Sequence, residues 1–150
     1  MFLETSAIVE MLTAGPQARE LSLKVDAAQT SFHCGPTVEF EATAVLATEL
    51  GCAVEAANLL VMALLSELNA ERMTITPEIG EKAVAAMAKY GKGRGHPAQL
   101  NFGDCFSYAM AKAASVPLLY VGDDFARTDL AYDPEKWEQV FGKDHAPTKR

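Results

Sequence analysis

Four short runs suited to β-strand divide this chain into helix-length intervals, and that alternation limits the fold more than any other feature. The runs are MFL at 1–3, TSFHC at 30–34, RMTIT at 72–76 and VPLLYV at 116–121. Each run is strand-sized, and each interval between them is long enough for at least one helix. Parallel neighbours need a crossover of this kind, whereas hairpins need only a tight turn. The pattern predicts an α/β domain whose mostly parallel sheet is covered by helices on both faces. A chain of 150 residues suits one domain, spanning 1–150, with a substantial core.

The intervals carry helical punctuation. After MFL, the stretch TSAIVEML places Ala7, Ile8, Met11 and Leu12 at helical spacing, with Thr5 or Ser6 as the expected N-cap. Gly15-Pro16 ends that helix, and PQARELSLKVDAA forms another. Pro36 opens PTVEFEATAVLATELG, with Val38, Ala42, Val45 and Leu46 on one face and Gly51 as its stop. AVEAANLLVMALLSELNA is a strongly apolar helix. Its Leu59, Leu60, Met62, Leu64 and Leu65 exceed one core stripe, which predicts an additional buried surface. Pro77 starts PEIGEKAVAAMAKYG, and KGRGHPAQLNFG reads as a loop. The next helix covers about 103–115, and Phe102, Phe106, Tyr108 and Met110 on or beside it read as core. The tail holds the only tryptophan, Trp137, and is expected to fray over about 140–150.

Charge narrows the function. A net charge of −7 argues against a protein that coats nucleic acid, but not against an enzyme that recruits cations to reach it. No apolar run approaches the ~20 residues of a membrane span. The opening MFLETSAIVEML has no basic stretch and carries Glu4 and Glu10, unlike a signal peptide. Cys34, Cys52 and Cys105 form neither a metal-type pair nor a disulfide framework, so the expectation is reduced thiols in a cytoplasm.

Acids cluster where the chain turns. Glu4 ends the first strand, Asp123 and Asp124 end the last, Glu39 and Glu41 lie early in the helix after SFHC, and Asp104 starts the helix before VPLLYV. In an open parallel sheet, sites form outside the carboxyl ends of the strands. Carboxylates gathered there repel one another unless a cation intervenes, and hard oxygen donors select Mg²⁺ or Mn²⁺. Such ions bind phosphate and activate water, so the pattern points to metal-dependent phosphoryl chemistry. Taken singly, each acid also has an ordinary reading as a favourable charge near a helix start or as a turn former.

Three motifs sharpen this. MFLETSAIVEML resembles the opening of PIN-domain proteins: an apolar strand, an acid, then a hydroxyl-Ser-Ala step. EATAVLATELG resembles their second motif, with its acid at Glu41. KYGKGRGHPAQLNFGDCFSYAMAKAASVPLLYVGDDFARTDL is similar to the C-terminal half of VapC-type toxins of bacterial toxin–antitoxin pairs, and the likeness runs from residue 1 to about 130. The resemblance implies a three-layer PIN fold and a ribonuclease using Mg²⁺, with Mn²⁺ as the alternative. It places the catalytic acids at Glu4, Glu41, Asp104 and Asp123, with Asp124 as the close alternative for the fourth place. Glu4, Asp104 and Asp123 or Asp124 would hold metal, directly or through water. Ser6 would support the first acid, and Asn101 and Gly103 would shape the turn that aims Asp104. The pattern departs in one place, because the family's first acid is normally Asp and here is Glu4, one methylene longer.

Lys89, Lys92, Arg94 and His96 in KYGKGRGH, and Arg127 after the last acids, are the expected contacts to substrate phosphates. His33 and His145 read as structural or surface residues. The resemblance implies an RNA substrate and a VapB-like antitoxin; the surplus apolar surface suits an antitoxin helix or a homodimer. A PIN domain weakened by Glu4 and acting only as a binding protein is the alternative. A DNA nuclease or a phosphatase could use the same acids, but Glu4-Thr5-Ser6 stands where a phosphatase carries Asp-x-Asp.

Overall fold

A computed structural model describes residues 1–130 of the chain, and Trp137, His145 and the frayed tail expected at 140–150 lie outside the described residues. Among the described residues four strands form one sheet: β1 (Phe2–Leu3), β2 (His33–Cys34), β3 (Glu71–Arg72) and β4 (Leu118–Leu119), in the order β3-β2-β1-β4 and all parallel. Among the described residues six α-helices flank it: α1 (Thr5–Leu12), α2 (Ala18–Ala27), α3 (Pro36–Leu50), α4 (Val54–Glu67), α5 (Pro77–Tyr90) and α6 (Phe102–Ala114). This is the α/β arrangement that the alternation predicts. Helix α5 packs on α6, α3 on α4 and α1 on α3.

The ladders are shorter than the runs that supply them. Only Leu118–Leu119 of VPLLYV pairs, and β3 takes Glu71 and Arg72 in place of the β-branched residues that follow. Thr76 instead caps α5, accepting from the N–H of Ile79 at 3.4 Å. Among the described residues strand β3 pairs with β2 alone, and β2 is itself two residues long. Met1 and both residues of β1, Phe2 and Leu3, are fully buried, as expected for a central strand covered on both sides.

The helix stops follow the punctuation. Gly51 closes α3 in the left-handed conformation, φ 59°, where its backbone N–H reaches the carbonyls of Ala47 and Thr48. Val38, Ala42 and Leu46 are buried, while Val45 is half-buried at the edge of a cleft. On α4, Ala57, Val61 and Leu65 enter the core, and Met62 and Leu64 pack partly against it. Leu59 and Leu60 stay exposed, so the surplus apolar residues of this helix are real surface.

One core expectation fails. Met110 is fully buried and Phe106 and Tyr108 are partly so, but Phe102 is 68% exposed. It occupies the first position of α6, and helical side chains lean toward the N-terminus. Its ring therefore overhangs the end of the helix instead of packing beneath it.

Candidate active site

The strand order places the carboxyl ends of β1 and β4 side by side, with the chain leaving β1 toward β2 on the opposite side. This is the topological switch point of the sheet, where open α/β folds bind their ligands. A cleft of about 390 Å³ opens there. Six carboxylates line it: Glu4, Glu10, Glu41, Glu49, Asp104 and Asp124. No lysine or arginine lines it among the described residues.

Glu4 reaches the cleft by ending β1 and beginning α1. Its backbone N–H continues the ladder to the carbonyl of Leu119 at 3.1 Å, and its own carbonyl accepts from the N–H of Ile8 at 3.1 Å. The N-cap is Glu4 itself, not Thr5 or Ser6 as the sequence suggests. The longer side chain curls back, so that one carboxylate oxygen accepts from the Ser6 N–H at 2.7 Å and also from the Ser6 hydroxyl. The Ser6 hydroxyl in turn accepts from the N–H of Val121 at 2.9 Å, joining the ends of β1 and β4.

Asp104 is set by a capping box. Asn101 Oδ1 accepts from the Asp104 N–H, and Asp104 Oδ2 accepts from the Asn101 N–H, each at 2.9 Å. Glu41 Oε2 accepts from the Thr5 hydroxyl at 3.1 Å. In the sequence Thr5 stands out only as a possible cap; its adjacency to Glu4 is the one signal for this second part. Gly103 lets α6 lie against Glu41, because a Cβ there would stand 2.5 Å from Glu41 Oε2. Two residues away on α3, Glu39 faces β3 and forms a two-pronged ion pair with Arg72 at 2.7 Å, so it does not join the cleft.

Asp123 and Asp124 are both exposed, and of the two it is Asp124 that lines the cleft. Lys92, Arg94 and Arg127 are exposed and also lie outside the lining, as do Lys89 and His96. Glu10 and Glu49, which the sequence reading did not assign, stand in the lining. Glu10 is half-buried on α1 and accepts the N–H of Gln17 at 2.5 Å, while Glu49 is exposed on α3.

Burial sets the electrostatics. The Glu4 carboxyl is pushed above its usual range chiefly by desolvation; the Ser6 bonds oppose this, and the charges of Asp104 and Glu41 add to it. Asp104 is likewise raised by burial and by the charges of Asp124 and Glu41, against the bond from Asn101. Both groups therefore hold their protons more tightly folded than unfolded. Their contribution to stability is complete below the ordinary carboxyl range and is lost as pH rises through their raised values. Glu4→Gln keeps an acceptor for Ser6 and removes the charge. We expect it to melt above wild type at pH 7 without metal, with the gap closing as pH falls. Thermal melts across pH check this, and a gap independent of pH would contradict it.

The donor chemistry fits a hard divalent cation, since the cleft offers carboxylate oxygen and neither thiol nor imidazole. Among the described residues, no three His, Cys, Asp or Glu side chains stand close enough to enclose one ion. Mg²⁺ commonly takes one or two carboxylates and keeps several waters, so a full protein cage is not required. Glu4, Glu41 and Asp104 each commit one carboxylate oxygen to the protein and leave the other without a protein partner among the described residues.

Comparison with known proteins agrees with the geometry. The PIN domain family model matches residues 1–130. A VapC ribonuclease of Rhizobium meliloti is 38% identical over 139 residues, covering 86% of this chain and 98% of the relative. Ribonuclease VapC30 of Mycobacterium tuberculosis is 36% identical over 132 residues, covering 87% of this chain and 96% of that one. The crystal structure of Mycobacterium tuberculosis VapC20, a sarcin-ricin loop cleaving toxin, superposes with a TM-score of 0.68 at 15% identity, over 83% of this chain and 92% of that one. At that identity the match speaks for the fold.

Proposed function

This chain belongs to the PIN-domain family, and from that membership we propose that it is an endoribonuclease toxin of the VapC type that hydrolyses RNA with Mg²⁺ or Mn²⁺. The observation that carries this reading is the cleft itself, six carboxylates with no lysine or arginine among the lining residues. Such a site repels a phosphodiester until a cation offsets its charge. A divalent ion bound there would supply charge for the scissile phosphate and a water of lowered pKa.

Asp104, Glu4 and Asp124 are the residues we assign to hold the ion, directly or through water. Glu41, fixed by Thr5, would orient or deprotonate the attacking water. Ser6 and Asn101 act as positioning residues through their bonds to Glu4 and Asp104. Lys92, Arg94 and Arg127 remain our assignments for more distant phosphates, outside the cleft. A VapB-like antitoxin is the implied regulator, and self-association through the exposed apolar face of α4 suits Leu59 and Leu60.

Incubation of the purified chain with total RNA in Mg²⁺, Mn²⁺ or EDTA tests the proposal. We expect cleavage that EDTA abolishes. Cleavage unaffected by EDTA, or none with either ion, would overturn it. The reading in which Glu4 disables the site draws no support, since the curled side chain still lines the cleft. Glu4→Asp shortens the acid but keeps a good N-cap. We expect it to preserve or raise Mg²⁺-dependent cleavage; a loss of about 10-fold or more would mean that the glutamate length is required.

A further inference from the structure

Phe102 and Phe40 have no role in the chemistry above, yet they are two of the most exposed large apolar residues among those described, at 68% and 78%. Each sits beside an acid of the cleft. Phe40 precedes Glu41, and Phe102 lies two positions before Asp104. Both line a second groove, of about 510 Å³, whose walls include Ala44 and Val45. This groove and the acidic cleft share Glu41, Val45 and Asn101, so one opens directly onto the other.

We propose that this groove is the seat of an unpaired nucleobase next to the scissile phosphate, with Phe102 and Phe40 as its stacking surfaces. The inference rests on the ribonuclease reading above. Three observations favour a base over a peptide side chain. First, the groove continues the cleft in which the reacting phosphate would lie, so any single-stranded RNA in the cleft must place a neighbouring base close by. Second, the Phe102 ring is braced by Phe106, with centroids 5.0 Å apart, giving a fixed aromatic face where an aliphatic wall would serve a peptide equally well. Third, the groove carries unspent hydrogen-bonding groups. The cap bond from the Asp104 N–H fixes the Asn101 oxygen, leaving the amide donors of Asn101 unpaired among the described residues.

The arrangement also answers a difficulty of charge. An acidic cleft gives RNA little to hold besides the cation, and stacking supplies affinity that does not depend on charge. Base–aromatic stacking is tolerant of base identity, while the Asn101 amide at the base edge adds selectivity.

Two measurements test this. The first is steady-state cleavage of a labelled RNA that carries the strongest wild-type cut site mapped in total RNA. Phe102→Ala should raise KM by about 10-fold to 100-fold with a smaller change in kcat, and Phe102→Trp should restore it. Leu23→Ala, an exposed change on α2, should leave both unchanged. The second is anisotropy of a short fluorescein-labelled single-stranded RNA on Asp104→Asn with and without Phe102→Ala, which reads the groove without turnover. Weaker binding on losing the ring, rescued by tryptophan, supports the inference. Unchanged KM and unchanged binding in Phe102→Ala overturn it, as does a shift of that variant from dimer to monomer with cleavage intact, which would assign the groove to a protein. A wild-type chain inert toward RNA in both Mg²⁺ and Mn²⁺ would instead refute the ribonuclease reading.

Discussion

Asp104→Asn should abolish cleavage of RNA, lowering the rate by about 10²-fold or more, while leaving the protein folded. The structure separates the two effects. Asp104 Oδ2 accepts the N–H of Asn101 within the capping box, and an asparagine oxygen can accept the same bond. The helix start therefore survives. The variant loses a carboxylate whose proton affinity is raised first by burial and then by the charges of Asp124 and Glu41, so the buried charge is removed and the remaining acids repel less. We expect a melting temperature in metal-free buffer at or above that of wild type. Cleavage assays paired with thermal melts check this, and cleavage at the wild-type rate would remove Asp104 from the site.

Ser6→Ala should damage both stability and activity. Its hydroxyl donates to Glu4 and accepts from Val121, so one atom ties β1 to β4 beneath the cleft. Removing it leaves the Val121 N–H without its acceptor and Glu4 with a single donor from Ser6. Unsatisfied groups of this kind cost about 1–3 kcal/mol, which in a chain of this size lowers the melting temperature by several degrees. Positioning partners of site ligands typically contribute about 10-fold to 100-fold in activity. The Ser6 bonds also hold the Glu4 carboxyl down against desolvation, so their loss raises its proton affinity further. The acid limb of the pH–rate profile should move to higher pH. A variant with wild-type melting and an unshifted profile would show that Ser6 does not support Glu4.

The sequence carried the fold because its signals are local. Proline at Pro36 and Pro77, glycine at Gly51 and the apolar triplet at 1–3 each act within a few residues, and each stands where those signals put it. The convergence of Glu4, Glu41 and Asp104 was legible for a different reason. A parallel sheet sends every strand's carboxyl end to one edge and the first turns of its crossover helices to that same edge, so acids at either position meet without any sequence proximity. What stayed hidden depends on orientation. Asp123 and Asp124 are neighbours in a turn, and spacing cannot say which one faces the cleft. Glu39 and Glu41 point to different sides of α3, one toward Arg72 and one toward Thr5. Phe102 fits the apolar spacing of α6, yet the first residue of a helix has no preceding turn on which to pack. The capping role of Glu4 was hidden as well, because glutamate is not a usual N-cap and the adjacent Thr5 and Ser6 are.

The central claim is that the six-carboxylate cleft binds a divalent cation through Asp104 and its neighbours. Titration of Mn²⁺ into the metal-free protein, with free ion followed by electron paramagnetic resonance, tests it most directly. We expect wild type to remove Mn²⁺ from solution, Mg²⁺ to compete, and Asp104→Asn to bind markedly less. Equal uptake by wild type and Asp104→Asn, or none by either, would contradict it.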